Sequence, residues 1–178
     1  MKLNLGCGKD IKEGWVNVDS IAFDESVIVC DLGNDIWPWD DDSIEEAFCS
    51  HMVEHLKPKE RAHFINELYR VLIPERGCQI IVPHAMSERA YGDLTHQWPP
   101  VVSFWFFYLD KDWRAVNAPH NNYDLYNEDV DFGSTWSYVL RQDLCTRNLE
   151  YQQYALANFK EAITDLIATI VKKPKKGE

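Results

Sequence analysis

The stretch Leu3-Asn4-Leu5-Gly6-Cys7-Gly8 decides the fold, together with Trp15-Val16-Asn17-Val18-Asp19 a few residues later. An apolar run enters a Gly-x-Gly turn in the first, and an apolar run ends on a carboxylate in the second. Glycines let a backbone approach a ligand closely, because they have no Cβ and tolerate positive φ. A carboxylate at the tip of the next strand can accept hydrogen bonds from both hydroxyls of a ribose. The two stretches therefore predict an open α/β sheet that holds a nucleoside.

Composition and charge narrow the class of protein. The 178 residues carry a formal charge of −11, from 29 acidic and 18 basic residues. We expect one domain, residues 1–178, that buries a real core. Because a negative surface repels phosphate backbones, we expect no nucleic-acid partner. The one basic cluster, residues 172–176, predicts a solvated tail.

Three further features predict a cytoplasmic protein. The N-terminus enters a strand pattern at once, which leaves no room for a signal peptide. No apolar run approaches the roughly 18 residues that span a bilayer, so we expect no membrane partner. The five cysteines are scattered, which indicates buried thiols in a reducing compartment rather than a disulfide framework.

Hydrophobic patterning predicts the elements of the sheet. The expected strands cover residues 3–5, 16–18, 27–32, 44–50, 79–83, 135–140 and 167–171. Apolar residues at helical spacing predict a helix over residues 58–72, ended by Pro74 and Gly77. Residues 117–131 predict a long loop, and residues 159–166 predict a helix or a bent connection. Only residues 9–14 separate the glycine turn from the second strand, whereas a crossover helix needs about a dozen residues.

Four motifs in order give the chain a resemblance to a known family. The Gly6-Cys7-Gly8 turn resembles motif I of the class I S-adenosylmethionine-dependent methyltransferases, and Asp19 resembles their ribose-binding acid. Residues 50–56 look like the segment after their fourth strand. Residues 67–77 look like their helix ending "E-x-x-R-V-L-x-P-G-G". The short spacing resembles a branch of small methyltransferases with the pattern "GCG…GWxNVD".

The resemblance implies a fold and its division. It implies an α/β, Rossmann-like methyltransferase fold with a mostly parallel seven-stranded sheet, whose last strand is antiparallel. The first crossover helix would be reduced. Residues 1–83 would form the cofactor-binding half, and residues 84–178 would form the substrate and cover half. The cofactor would be S-adenosylmethionine, and the product would be S-adenosylhomocysteine.

The resemblance also implies residue roles around that cofactor. Gly6 and Gly8 would flank its methionine part, and Asp19 would bind the ribose. Asp31 and Leu32 would meet the adenine. The full set implied to bind the cofactor is Leu5, Gly6, Cys7, Gly8, Asp19, Asp31, Leu32, Ser50 and His51.

Methyl transfer from a sulfonium needs an aligned acceptor and a group that removes the acceptor's proton. Histidine suits that task because its pKa is near neutrality. The candidates are His96 and His84, and Asp93 either orients His96 or makes a structural Asp–His hydrogen bond. The position after the fourth strand lacks the motif of enzymes that methylate DNA amines. We therefore expect a small-molecule, sugar or peptide acceptor that is methylated on oxygen or nitrogen.

Two other functions fit parts of the sequence. The missing crossover helix is compatible with a non-catalytic S-adenosylmethionine-binding partner or regulatory subunit. Residues 51–55 read H-x-x-E-H, an inverted zinc-protease signature that needs both histidines on one helical face. Because Pro58 follows so closely, little helix remains to carry them, and we expect no metal site. The aromatic block of residues 98–113 predicts core packing, a substrate wall or the interface of a homodimer.

Overall fold

Seven strands form one mixed sheet in the computed structural model, which describes residues 1–119 and 125–175. The strands are β1 Lys2–Leu5, β2 Val16–Asp19, β3 Ile28–Val29, β4 Ile44–Ser50, β5 Leu72–Pro83, β6 Phe132–Leu140 and β7 Ile163–Lys172. Their order across the sheet is β3-β2-β1-β4-β5-β7-β6. Strand β7 is antiparallel to both of its neighbours, and β1 to β5 pair in parallel. The predicted α/β sheet is confirmed.

Most helices of the described residues lie in the second half of the chain. They are α1 Pro58–Val71, α2 Arg89–Gly92, α3 Lys111–Asn117, α4 Gln142–Cys145 and α5 Leu149–Asn158, with 3-10 turns at Val53–His55 and Ser103–Leu109. Residues 6–15, between β1 and β2, contain no helix, so the predicted loss of the first crossover helix is confirmed. None of the helices in the described ranges is long and apolar enough to cross a membrane.

Two predicted boundaries in the first half are wrong. The third strand was predicted over residues 27–32, but β3 has only two residues, both exposed at the sheet edge. Because β3 is the edge strand and pairs with β2 alone, lengthening it would add hydrogen bonds on one side only. The chain turns at Asp31 instead. Helix α1 ends at Val71 and β5 begins directly at Leu72, well before the predicted residue 79. Leu72 pairs with Ile44 and Gly77 pairs with Glu46, across a register shift that falls between these two pairs.

The second half departs further from the sequence prediction. The helix or bent connection predicted over residues 159–166 is misplaced, because α5 ends at Asn158 and β7 begins at Ile163. Asn148 caps α5 by accepting a hydrogen bond from the Tyr151 N–H. Strand β6 starts at Phe132, three residues before the predicted position. The predicted loop 117–131 is partly testable, since its residues 120–124 lie outside the described ranges.

One face of the sheet carries the core. Alternate residues of the central strands are fully buried there, and the apolar stripe of α1 packs into the same cluster: Leu3, Leu5, Ala47, Cys49, Cys78, Ile80, Ala168, Phe64, Ile65 and Leu68. On the other face, Phe48 and Thr169 are only half-buried and Gln79 is exposed. The absence of a helix between β1 and β2 therefore leaves that face incompletely covered.

The E-x-x-R pattern of α1 has a structural task. The Glu67 carboxylate accepts the Trp37 N–H at 2.7 Å and binds Arg70 at 2.7 Å. The guanidinium of Arg70 donates to the carbonyls of Trp37 and Trp39. The pair thus pins the loop after β3 to the helix, which buries the indole of Trp37 in the core.

Lys172 corrects the expectation of a solvated basic tail. Its side chain is 4 % exposed, and its ammonium donates to the Leu72 carbonyl at 2.8 Å and to Asp42 at 2.5 Å. The ammonium also lies over the ring of Tyr69. Lys172 is buried because it is the last residue of β7 and is therefore held within the sheet. Lys176, also in the predicted tail, lies outside the described residues.

The aromatic block of residues 98–113 contributes Phe106 to the core, and Trp105 packs against the same cluster. Phe106 and Leu109 are fully buried, and the rings of Phe107 and Trp113 stack with centroids 5.5 Å apart. Trp98 and Phe104 remain exposed. Most of the block is therefore accounted for by packing within the chain, and the predicted homodimer stays a prediction.

Candidate functional site

The glycine turn after β1 is tightly built. Gly6 and Gly8 have φ of +67° and +51°, the left-handed region that favours glycine. A Cβ on Gly6 would collide with the side chain of Met52, whereas a Cβ on Gly8 would meet no atom within 4 Å. The Cys7 N–H donates to the Val18 carbonyl at 3.0 Å, which holds the turn against the end of β2.

Asp19 faces this turn from the tip of β2. Its Oδ2 accepts the Gly8 N–H at 2.8 Å, and its Oδ1 accepts the Ile21 N–H at 3.1 Å. Each carboxylate oxygen accepts more than one hydrogen bond, so both oxygens retain acceptor capacity toward a ligand. The arrangement fixes the carboxylate beside the glycine turn, at the carboxyl ends of neighbouring parallel strands.

A cavity of about 140 Å³, here called the smaller cavity, lies at this edge of the sheet. Its lining residues are Gly6, Asp19, Ser20, Cys30, Asp31, Leu32, Met52, His55 and Leu56. Asp31 is held in place there, because its carboxylate accepts hydrogen bonds from the Gly33 N–H and the Asn34 amide, both at 3.0 Å. The cavity thus combines two carboxylates with apolar walls.

Four of the nine residues predicted to bind the cofactor line this cavity: Gly6, Asp19, Asp31 and Leu32. Leu5, Cys7 and Gly8 belong to the same strand and turn, and burial raises the pKa of the Cys7 thiol, with a further contribution from Asp19. Ser50 is the last residue of β4 and His51 follows it, but His51 lines a different cavity. The smaller cavity is closed on the β4 side by Met52, His55 and Leu56, which the sequence prediction did not assign to the cofactor.

That second cavity, here called the larger cavity, has a volume of about 740 Å³. Its lining residues are His51, Glu54, His55, Pro83, Arg89, Gly92, Asp93, Leu94 and His96. His55 lines both cavities. The two cavities are therefore neighbours, and one side chain stands between them.

The structure separates the two histidines predicted to act as bases. His96 lines the larger cavity, whereas His84 packs its ring against Tyr138 with centroids 5.3 Å apart. Nδ1 of His84 accepts the Met86 N–H at 3.2 Å. Burial lowers the pKa of His84. Of the two, His96 is the one that the fold brings to a cavity.

His51 sits at the end of β4 in a charged setting. It has φ of +53°, and its Nδ1 lies 3.2 Å from Oε1 of Glu54. Its Nε2 lies 3.7 Å from Oδ1 of Asp165, whose carboxylate also binds Arg89 at 2.9 Å. The hydrogen bond to Glu54 raises the pKa of His51.

The predicted Asp93–His96 hydrogen bond is not formed. Oδ2 of Asp93 lies 3.9 Å from Nε2 of His96, which is beyond hydrogen-bond range. Oδ1 of Asp93 instead accepts the N–H and the hydroxyl of Thr95, at 2.8 and 2.6 Å. The Thr95 hydroxyl in turn contacts Nδ1 of His55 at 2.9 Å. Asp93 therefore orients His55, through Thr95.

The zinc-protease arrangement is also not formed. His51 precedes the 3-10 turn Val53–His55, and its positive φ breaks any helix that would join it to His55. The two histidines thus do not share a helical face, which the H-x-x-E-H chemistry requires. This contradicts the hydrolase alternative in the form that the sequence suggested.

Arg61 of α1 joins the two segments that wall the larger cavity. Its side chain donates to the carbonyls of Val53 at 3.1 Å and Glu54 at 3.3 Å on one side. On the other side it donates to the carbonyls of Gln97 at 3.0 Å and Pro99 at 2.6 Å. The sequence prediction missed this residue. Its signal is an arginine one turn before Ile65, on the apolar stripe of the predicted helix.

Comparisons with known proteins agree with this geometry. Residues 3–77 match the family model described as a methyltransferase domain. A comparison with curated proteins gives no significant match. A methyltransferase structure from Archaeoglobus fulgidus superposes with a TM-score of 0.68 at 18 % identity, over 96 % of this chain and 85 % of that one.

Two other solved structures are similar at lower scores. A methyltransferase from Haloferax volcanii, in complex with the Trm112 activator, gives a TM-score of 0.55 at 13 % identity over 97 % of this chain and 82 % of that one. The geranyl diphosphate C-methyltransferase from Streptomyces coelicolor, with S-adenosyl-L-homocysteine bound, gives 0.55 at 10 % identity over 96 % and 70 %. With its strand order and its matching residues 3–77, the chain has an α/β, Rossmann-like fold similar to that of S-adenosylmethionine-dependent methyltransferases.

Proposed function

We propose that this chain binds S-adenosylmethionine in the smaller cavity and transfers its methyl group to an oxygen or nitrogen of a small-molecule, sugar or peptide acceptor. The observation that carries the proposal is the carboxylate of Asp19, which is fixed by the Gly8 N–H at 2.8 Å beside the left-handed Gly6. This pair supplies a ribose acceptor and a close backbone approach at one edge of the sheet. The match of residues 3–77 to a methyltransferase domain supports it.

The position of the second cavity supports methyl transfer rather than binding alone. The larger cavity adjoins the smaller one at His55, and it is roomy enough for an acceptor. S-adenosylmethionine held in the smaller cavity would supply a methyl group on a sulfonium, and the larger cavity would hold the acceptor in line with that group. The acceptor's proton passes to a base on the cavity wall. His96 is a candidate from the sequence, and His51 and His55 line the same wall.

The remaining features of the proposal follow from the same sequence patterns. We propose that residues 1–178 form one domain and that the protein is cytoplasmic. Because its net charge is −11, we also propose that it has no nucleic-acid partner. Trp98 and Phe104, the exposed members of the aromatic block, are the proposed contact of a homodimer.

Calorimetry with S-adenosylhomocysteine tests the cofactor assignment. We expect the wild type to bind it and Asp19→Ala to bind it about 10- to 100-fold more weakly, because a charge-assisted hydrogen bond contributes about 1.5–3 kcal/mol. Asp24→Ala is the matched control, since Asp24 is an exposed acid in the next loop whose carboxylate accepts hydrogen bonds from Ser26. No binding by the wild type, or equal binding by Asp19→Ala, would overturn the assignment.

The non-catalytic alternative gives a different result in the next experiment. The missing first crossover helix motivates the alternative, a non-catalytic S-adenosylmethionine-binding partner or regulatory subunit. Complexes of methyltransferases with a second protein exist, as the similar Haloferax volcanii methyltransferase with its activator shows. Labelled S-adenosylmethionine is incubated with pools of alcohols, amines, sugars and peptides. Transfer of label supports the enzyme, whereas tight binding without transfer to any pool supports the partner subunit.

A further inference from the structure

Glu54, His55 and His96 converge on one point of the larger cavity. One potential ligand atom from each lies within 4.8 Å of the other two. The two imidazole rings meet edge to face, with centroids 4.7 Å apart. A metal about 2.0–2.2 Å from each atom would hold its ligands roughly 3.4 Å apart in tetrahedral geometry. A movement on the order of 1 Å in these side chains completes such a set.

The hydrogen bonds of the two histidines leave the same atom free on each ring. Nδ1 of His96 faces the Ala90 carbonyl at 3.2 Å, and a carbonyl only accepts, so this nitrogen carries the proton. The hydroxyl of Thr95 already donates to Asp93. It therefore accepts from Nδ1 of His55 at 2.9 Å. Each ring presents a lone pair at Nε2, oriented by a partner at Nδ1, as in protein metal sites.

The carboxylate of Glu54 points to the same conclusion independently. Its side chain is 6 % exposed. Oε1 faces Nδ1 of His51 at 3.2 Å, whereas Oε2 is buried and has no hydrogen-bond partner among the described residues. A buried carboxylate oxygen without a partner is costly. A cation bound between Glu54 and the two histidines would satisfy it.

Arg61 prepares the site before any ligand arrives. It ties the carbonyls of Val53 and Glu54 to those of Gln97 and Pro99. The Gln97 N–H also donates to the Glu54 carbonyl at 2.8 Å. The turn that carries Glu54 is thereby fixed against the loop that carries His96. Such preorganisation lowers the conformational cost of closing a three-residue set around an ion.

We propose that Glu54, His55 and His96 form a binding site for a divalent transition metal of the zinc class. Two imidazoles and one carboxylate suit Zn²⁺ and its neighbours, whereas Mg²⁺ prefers oxygen ligands. Three protein ligands leave a position open toward the larger cavity. That position would hold the acceptor's oxygen or nitrogen. With His55 and His96 as metal ligands, His51 would be the remaining histidine of this cavity wall to take the acceptor's proton. This role rests on the proposed function, whereas metal binding itself does not.

Competition with a zinc-sensitive chromophoric chelator tests the site in protein that has been stripped with a chelator. All variants carry Cys145→Ser, because Cys145 is the exposed thiol among the cysteines. We expect one Zn²⁺ per chain in this background. Glu54→Gln and His96→Ala should each weaken Zn²⁺ binding by more than about 10-fold. His63→Ala is the matched control, since His63 lies on α1 and contacts the Asp35 carbonyl, away from the cavity.

Two further measurements keep folding and cofactor binding separate from the result. Thr95→Val removes the hydroxyl that hydrogen-bonds to His55. Because Thr95 is exposed, this change should weaken Zn²⁺ binding without affecting the buried turn that carries Glu54. Calorimetry with S-adenosylhomocysteine on the metal-free His96→Ala variant should give the wild-type affinity, so a failure of the proposed function shows there and not in the zinc titration. Equal zinc affinity in wild type, Glu54→Gln and His96→Ala, or none in the wild type, would overturn the proposal.

Discussion

The two cavities are built in different ways. The smaller cavity takes Gly6, Asp19 and Asp31 from the ends of β1, β2 and β3, which lie side by side in the sheet. The larger cavity takes its walls from the turn after β4 and from residues 89–96, which Arg61 joins through four carbonyls and which also contact each other directly. The first site follows directly from the sheet topology, whereas the second depends on tertiary contacts, among which those of Arg61 are the most numerous.

Because the two cavities are built differently, we expect changes elsewhere in the chain to affect them differently. Parallel strands have their carboxyl ends at one edge of the sheet regardless of the loop conformations. The smaller cavity should therefore tolerate changes elsewhere in the chain. The larger cavity should lose its shape as a whole when its two wall segments separate. It also contains a chain of charged groups, in which His51 contacts both Glu54 and Asp165.

Arg61→Met should have the largest effect on this contrast. It removes the donor to four carbonyls, of which those of Val53 and Glu54 belong to buried residues, and we expect the free energy of unfolding to fall by about 3 kcal/mol, because these carbonyls lose a charged donor. Zinc binding should be lost, and binding of S-adenosylhomocysteine should persist while the protein is folded. Urea denaturation and the two titrations measure this.

Lys57→Met is the control for Arg61→Met. Lys57 also lies at the start of α1, but its side chain is 67 % exposed and pairs with Glu60 at 3.1 Å. An exposed pair contributes about 0–1 kcal/mol. A loss of stability in Arg61→Met as small as that of the control would show that the segments are held together by other contacts.

Gly6→Ala and Gly8→Ala form a matched pair in the smaller cavity. Both glycines have positive φ, so each change should cost about 1–2 kcal/mol of stability from backbone strain. Only Gly6→Ala adds a clash with Met52, so it should be the less stable variant and should also weaken binding of S-adenosylhomocysteine.

Removing the clashing side chain separates the two causes. In the double variant Gly6→Ala, Met52→Ala the steric part should disappear and the strain should remain, which thermal unfolding and calorimetry can resolve. Identical stabilities of Gly6→Ala and Gly8→Ala would contradict the close contact between Met52 and the turn.

The sheet, and the meeting of Gly6, Asp19 and Asp31 at one of its edges, could be predicted from the sequence because both depend on local patterns. Apolar runs that end on a glycine turn or on Asp19 specify strands whose tips carry these groups, and the short spacing specifies the missing helix. The edge strand β3 was overestimated because its β-branched residues have a partner on one side only. Lys172 was misjudged because its burial depends on β7 reaching Leu72 and Asp42.

The larger cavity could not be predicted in the same way. Glu54 and His96 are far apart in the chain, and nothing local indicates that they meet. His96 was selected for its chemistry, and its supposed partner Asp93 in fact acts on Thr95. The one local signal was Arg61 on an apolar helix stripe, because a buried arginine must find acceptors across a tertiary contact.

The smallest expected effect lies at the rim of the larger cavity. Leu94 lines this cavity but is 98 % exposed, so Leu94→Ser should change the free energy of unfolding by no more than about 0.5 kcal/mol. The affinity for S-adenosylhomocysteine should stay within about twofold, which is below 0.5 kcal/mol. Leu56→Ala is the counterpart in the smaller cavity, where Leu56 packs against the core. It should lower stability by about 1–2 kcal/mol, since part of its side chain is buried. If Leu94→Ser were the more damaging of the two in urea denaturation, the rim of the larger cavity would have to be closed by a contact that involves Leu94, and the two cavities would not differ in the way that their construction implies.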